Sequence, residues 1–273
     1  MNGPDPERLF VLVDRELQTV VRTPTFAFLV LGFAAVVVGT TLTGGSTGGR
    51  YVPTTLDLLP MMELLVPVLA FAFGYRAVLA DTQRGEMEML RTYPVSKLTL
   101  ALGVYVGRAT ALLASVILPL LVAVVIVVLT GGGGPSFIAQ HAGGDSVLLY
   151  FRFVVLTSIF ALVVLAVALA VSAASRSTRE ALALAVGFLV VLVIGLDLGI
   201  IAGLAGGVVS DDTLVWLLAA SPNSAYRGLV LETVAGVVST SSARAAAPAA
   251  NLLGLAAWLV VSLAVAVRTV WEK

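Results

Sequence analysis

Cysteine is absent from the 273 residues, and histidine occurs once. The first absence excludes disulfides, iron–sulfur ligation and thiol nucleophiles, and leaves no redox compartment to read. The second denies the chain the paired histidines of an intramembrane metalloprotease. His141 lies alone in a glycine-rich stretch, with no G-x-S-x-G elbow for a hydrolase base to serve. Charge is scarce as well, at 12% of residues, with 16 basic and 16 acidic side chains cancelling. No net field marks nucleic acid as a partner. Runs of alternating polarity suited to barrel strands are also missing. No enzyme is expected of this chain.

What is abundant is apolar sequence: 59% of residues are hydrophobic and the mean hydropathy is +1.05. Several windows exceed the roughly 18 to 20 apolar residues that cross a bilayer core. The expected fold is an all-α integral membrane protein of one domain spanning 1–273. Its six transmembrane helices are expected at 24–43, 56–80, 100–130, 147–171, 180–206 and 248–270. The first is too long for a signal-peptide core and is expected to stay uncleaved. No stretch reads as a soluble domain.

Orientation follows from the basic residues. Arg8, Arg15, Arg22, Arg76, Arg84, Arg91, Lys97, Arg108, Arg176, Arg179, Arg268 and Lys273 fall on one side, and Arg50, Arg152, Arg227 and Arg244 on the other. This bias predicts cytoplasmic termini and cytoplasmic loops at 81–98 and 172–179. Loops 44–55, 131–146 and 207–247 then face outward.

Residues 5–22 read as an amphipathic helix, with Asp5 as cap and Pro6 at its first position. Leu9, Phe10, Val13, Leu17, Val20 and Val21 share one face, with Glu7, Arg8, Asp14, Arg15, Gln18 and Arg22 opposite. The pattern fits a helix lying in the cytoplasmic interface; a helix packed on a protein partner has the same periodicity. In the outer segment 207–247, short helices are expected around Ser221-Pro222-Asn223 and from about 225 to 238, dipping into the leaflet or closing a cavity. The glycine runs at 44–49 and 131–135 lack the Lys-Ser or Lys-Thr of a phosphate cradle.

Two acids fall within spans, Glu63 and Asp197. Ionisable groups at such depth are costly and become functional candidates by default. Two readings fit them: an ion-coupling site, as in a secondary carrier, or structural groups satisfied by water, Arg152 or helix N-termini. Met61-Met62 offers soft sulfur, but neighbours on a helix point about 100° apart, so packing is the better reading and no metal site is expected.

The segment RGEMEMLRTYPVSK at 84–97 concentrates charge between two apolar stretches. Helix is favoured from Asp81 to Tyr93, supported by Asp81–Arg84 and Glu88–Arg91 pairs. Pro94 forces a turn, and Ser96 can cap the next helix. The product is a short protruding helix at 81–97, suited either to docking in a partner's groove or to lying on lipid.

That segment, with RGEMEMLRTYPVSKLTLALGVYVGR as its full extent, resembles the coupling helix of ABC-2 type permeases. The stretches LVPVLAFAFGYRAVLAD (65–81), GLDLG (195–199) and TLVWLLAASPNSAYRGL (213–229) are similar to the NosY family of permeases from nitrous-oxide-reductase maturation systems. The chain departs from the family in having Leu102-Gly103-Val104 where a lysine often stands, and Ser221 in place of asparagine. The resemblance implies a homodimeric transporter core in the cytoplasmic membrane. It implies a NosF-like ABC ATPase docked on Glu86, Met87, Leu90, Arg91, Tyr93, Pro94, Val95 and Ser96. It also implies a NosD-like β-helical outer protein bound through Ser221, Pro222, Asn223, Tyr226 and Arg227. No cofactor is implied in this chain, since ATP and Mg²⁺ belong to the ATPase. The work done would serve the copper sites of nitrous-oxide reductase, by transport or mechanically. A generic ABC-2 exporter is the nearest alternative.

Overall fold

The computed structural model describes residues 6–44, 51–83, 85, 96–130, 146–207, 211–236 and 247–270. Every regular element among them is helical. Six helices are long and apolar enough to cross a membrane: Pro24–Thr43, Tyr51–Gln83, Lys97–Thr130, Val147–Ala174, Thr178–Ala205 and Pro248–Thr269. The protein is an all-α, multi-pass membrane protein.

In chain order the elements are α1 (Pro6–Arg22), α2 (Pro24–Thr43), α3 (Tyr51–Gly74) and α4 (Ala77–Gln83), then α5 (Lys97–Thr130), α6 (Val147–Ala174) and α7 (Thr178–Ala205). Two short helices follow, α8 (Asp211–Ala220) and α9 (Pro222–Val230), before α10 (Pro248–Thr269). A π turn at Val191–Gly195 interrupts α7, and a second, Leu231–Ala235, extends α9.

Burial is uneven because lipid, unlike water, does not penalise an apolar face. The most apolar window of α6 is 72% buried, against 11% for those of α2 and α7. Apolar all round, α6 is the axis of the bundle, packing chiefly on α3 and α10. Phe153, Phe160 and Leu165 of α6 join Leu58, Met62 and Phe73 of α3 in the main core. Met62 is buried while Met61 is exposed, so the adjacent sulfurs point apart.

The second span breaks at Tyr75-Arg76, where α3 hands over to α4. A helix as short as α4 has little to satisfy its leading N–H groups. Ser172 of α6 does so, its Oγ accepting from the N–H of Val78 (3.1 Å) and of Leu79 (3.2 Å). The helix expected from Asp81 to Tyr93 does not run on without a break. Gly85 adopts φ of +74° and its N–H bonds Thr82 O, a left-handed stop that glycine alone takes without strain. Asp81 thus belongs to the end of the second span. Glu86, Met87, Leu90, Arg91, Tyr93, Pro94 and Val95 lie outside the described residues, as does His141. Ser96 caps α5, accepting from Thr99 N–H at 3.0 Å.

At the end of the bundle nearest both termini, Leu12 packs with Ala77, Leu100, Leu169, Ala266 and Val270. The buried stripe of α1 is Leu12, Glu16 and Val20, whereas Phe10 and Val21 are exposed. The stripe packed on the bundle thus runs beside the apolar face, and Phe10 and Val21 of that face stay exposed. Glu16 can lie in that stripe because its carboxylate meets a cation there, as a buried charge must.

Candidate functional site

The far end of the bundle gathers the charged residues of three helices. Ser221 caps α9, accepting from Ser224 N–H at 3.3 Å, with Pro222 at the first helical position. The same Ser221 hydroxyl donates to Asp197 Oδ1 at 2.9 Å, and that of Ser224 donates to the same oxygen at 2.6 Å. Asn223 reaches Val193 O in the π turn of α7 (3.4 Å), while its buried Oδ1 has no hydrogen-bond partner.

One and a half turns into α9, Tyr226 is fully buried and stacks on Phe160, with ring centroids 4.6 Å apart and planes 4° from parallel. Its hydroxyl lies 2.8 Å from that of Thr157. Thr157 donates its single proton to Phe153 O, so Tyr226 is the donor in this pair.

Arg227 completes the cluster. Its Nε donates to Glu63 Oε1 at 2.6 Å and its Nη2 to Glu63 Oε2 at 2.5 Å, a bidentate pair. The same Nη2 lies 3.4 Å from Asp197 Oδ2. Glu63 and Asp197 keep 12% and 16% of their side-chain surface accessible, against 41% for Arg227. Two carboxylates thus share one guanidinium at the rim of the bundle. Losing that cation leaves two acids without a counter-charge in a setting of poor solvation.

The element S-P-N-x-x-Y-R is therefore an assembly device. Ser221 ties it to α7, Tyr226 to α6 and Arg227 to α3. Ser221, Asn223 and Tyr226 are turned into the bundle and are buried, so they shape the far end rather than face a neighbour. Trp258 of α10 adds an indole bond to Ala220 O (2.9 Å). Gly254 lets α10 approach so closely that a Cβ there would overlap the Ala219 carbonyl.

The counter-charge for the two acids is Arg227, not the Arg152 that their depth suggested. Arg152 instead bonds Thr233 O at 3.2 Å. Backbone irregularity surrounds the cluster. One π turn precedes Asp197 and the other follows Arg227. Pro67 in α3 lacks the N–H that would pair with the Glu63 carbonyl. Such interruptions gather at functional positions and loosen the helical ladder where it must adjust.

A second charged cluster, invisible to the sequence reading, closes the terminal end. Arg108 Nε donates to buried Glu16 at 2.7 Å, and its guanidinium stands 5.6 Å from the Phe26 ring centre. Arg15 donates to Asp81 at 2.6 Å and to Glu16 at 3.0 Å. Burial alone would lower the pKa of Arg15, but the Asp81 and Glu16 carboxylates outweigh it and raise the value further. Gly107 makes room for the pairing, since a Cβ there would lie 2.5 Å from Glu16 Cβ. Through these contacts α1 is clipped to α5 and to the end of α4.

Six spans, a braced helical cap at one end and a clipped amphipathic helix at the other define a multi-pass helical membrane protein. Among the described residues, no group of three or more His, Asp or Glu is placed to hold a metal. The chain belongs to the ABC-2 transporter family: residues 11–272 match the family described as ABC-2 family transporter protein. It is similar to a protein of Stutzerimonas stutzeri named probable ABC transporter permease protein NosY, 28% identical over 269 residues that cover 92% of this chain and 94% of the relative. A Pseudomonas aeruginosa protein of the same name is 27% identical over 270 residues, covering 94% and 96%.

Proposed function

We propose that this chain is the permease subunit of an ABC transporter, working with a separate ATPase in the maturation of the copper sites of nitrous-oxide reductase. The observation that carries the reading is the mechanical continuity of the second span. In the half of it nearer Tyr51, Glu63 holds Arg227 and through it the α8–α9 cap. At its terminal end Asp81 holds Arg15. A push on the segment after Gln83 is delivered along α4 and α3 to the cap, as rigid-body motion of packed helices.

In this reading the terminal end faces the cytoplasm of a cell membrane, as the basic residues indicate. ATP and Mg²⁺ are bound by the ATPase, which docks on residues 86–96, and this chain catalyses nothing itself. Two copies form the core beneath two ATPase subunits. The far end delivers movement to a β-helical outer protein. The buried motif side chains set the cap's shape, and the outer partner meets the surface that they brace.

Glu63 and Asp197 serve as the seat of Arg227 rather than as an ion-coupling pair. The bidentate hold on Glu63 supports this. A chain with no cysteine and one histidine offers few soft ligands for copper. Mechanical work on the outer partner fits that composition better than copper passage.

The test is affinity purification of the tagged protein from its own membranes in mild detergent. Recovery of an ABC ATPase with a β-helical protein is the expected result. An ATPase alone indicates a generic ABC-2 exporter. Glu86→Arg is expected to lose the ATPase; capture and turnover at the parent level would overturn the docking role.

A further inference from the structure

Beyond the two clusters, one feature has charge without an evident counterpart. A cleft of about 400 Å³ opens between the start of α2, the α3–α4 break and α5. That is the size of a small-ligand site. Arg76 and Arg108 line it together with Thr25, Phe26, Leu29 and Phe73. Its two cations are not equivalent. Arg108 has committed Nε to Glu16 and keeps its Nη groups as further donors. The side chain of Arg76 is exposed at the helix break and makes no hydrogen bond or ion pair with a described residue.

Charge accounting points to an anion. In this corner Arg15, Arg76 and Arg108 face Glu16 and Asp81, and the described pairings satisfy both carboxylates. The guanidinium left over is Arg76. The depth also fits. Thr23-Pro24 begins the first span, and Arg76 lies at the terminal end of the second, the level at which lipid phosphates lie. Below the cations the wall turns apolar, with Phe26, Leu29 and Phe73. Deeper between α2 and α5 follows an apolar face formed by Val30, Ala34 and Val38 of α2 with Leu118 and Val122 of α5. An acyl chain continuing from the cleft meets that apolar face.

We propose that this cleft binds the phosphate of an anionic phospholipid, with Arg76 and Arg108 on the headgroup oxygens and the chains laid along α2. Guanidinium is well matched to phosphate oxygens. A bound lipid would wedge between the first span and the α3–α4 break, next to the joint that leads to the proposed coupling segment. The assignment is independent of any ATPase, so its failure and that of the permease reading are separately visible.

The experiment uses the full chain in phosphatidylcholine nanodiscs doped with phosphatidylglycerol, followed by mild delipidation and native mass spectrometry. The parent is expected to retain one phosphatidylglycerol per chain in preference to phosphatidylcholine. Arg76→Gln, at an exposed site that does not endanger folding, is expected to retain about tenfold less. Arg76→Lys keeps most of the retention, and Arg22→Gln, a nearby exposed cation, leaves it unchanged. Inorganic phosphate should fail to displace the lipid. Equal retention by R76Q and the parent, or no preference over phosphatidylcholine, overturns the proposal. Displacement by inorganic phosphate overturns the lipid assignment and gives the cleft to a soluble phosphate.

Discussion

Arg227 and Glu63 are separated by 164 positions in the chain and meet through two hydrogen bonds, of 2.6 and 2.5 Å. Through this pair the α8–α9 segment is bound to the span whose opposite end is held by Arg15.

Removing either partner leaves a charge with poor solvation. Glu63→Gln or Arg227→Gln is expected to cost about 2–4 kcal/mol, measured as a lower Tm of the purified protein by tryptophan fluorescence. The double variant should recover part of that loss, since only Asp197 is then left without its cation. Strict additivity of the two costs would show that the residues are not coupled.

Tyr226 separates the polar from the apolar share of the cap's attachment. Tyr226→Phe keeps the stacking on Phe160 and loses the bond to Thr157, for about 1 kcal/mol. Tyr226→Ala also empties a fully enclosed site and should cost about 3–5 kcal/mol. Equal losses in thermal unfolding would contradict the assignment of most of the attachment to the ring.

The clip on α1 depends on the missing side chain at Gly107. Gly107→Leu is expected to displace Glu16 and lift α1 from α5. Because the chain has no cysteine, a single Leu12→Cys reports this directly. Buried in the parent, that thiol should react slowly with a maleimide, and at least about tenfold faster beside G107L, as the exposed fraction of the helix grows. Unchanged labelling would show that α1 stays docked.

For the proposed transporter, latch and docking defects should look different. Arg227→Gln is expected to preserve capture of the ATPase and to reduce copper loading of the reductase, measured by metal content. Loss of ATPase capture in this variant would place the defect in folding or assembly and remove the cap from the mechanism.

The six spans were legible because hydropathy is a local property and each run is long enough to declare itself. Helix starts at Thr23-Pro24 and Ser221-Pro222 were legible for a similar reason, since caps and proline act within one turn. The seat of Arg227 was not. Its partners lie on two other helices, and nothing in the local pattern around Glu63 or Asp197 names the cation that arrives from α9. The same holds for α1, where hydrophobicity grouped Phe10 and Val21 on an interfacial face but did not show which stripe would pack on the bundle. That stripe is Leu12, Glu16 and Val20, and the partner of its buried acid, Arg108, lies on another helix. The π turns left no sign, because Val191–Gly195 reads like any apolar helical stretch.

The bonds from Ser172 to Val78 and Leu79 have one more implication. A short helix that borrows its cap from a neighbour is riveted to that neighbour, so α4 cannot swing at Tyr75-Arg76 alone without stripping both rivets. In the proposed transporter, force entering near Gly85 is therefore expected to split between two shafts, the second span and the enclosed α6. Since α6 also carries Thr157 and Phe160 beneath Tyr226, the proposed mechanism has the cap receive the same stroke from below and from the side, and tilt as one plate.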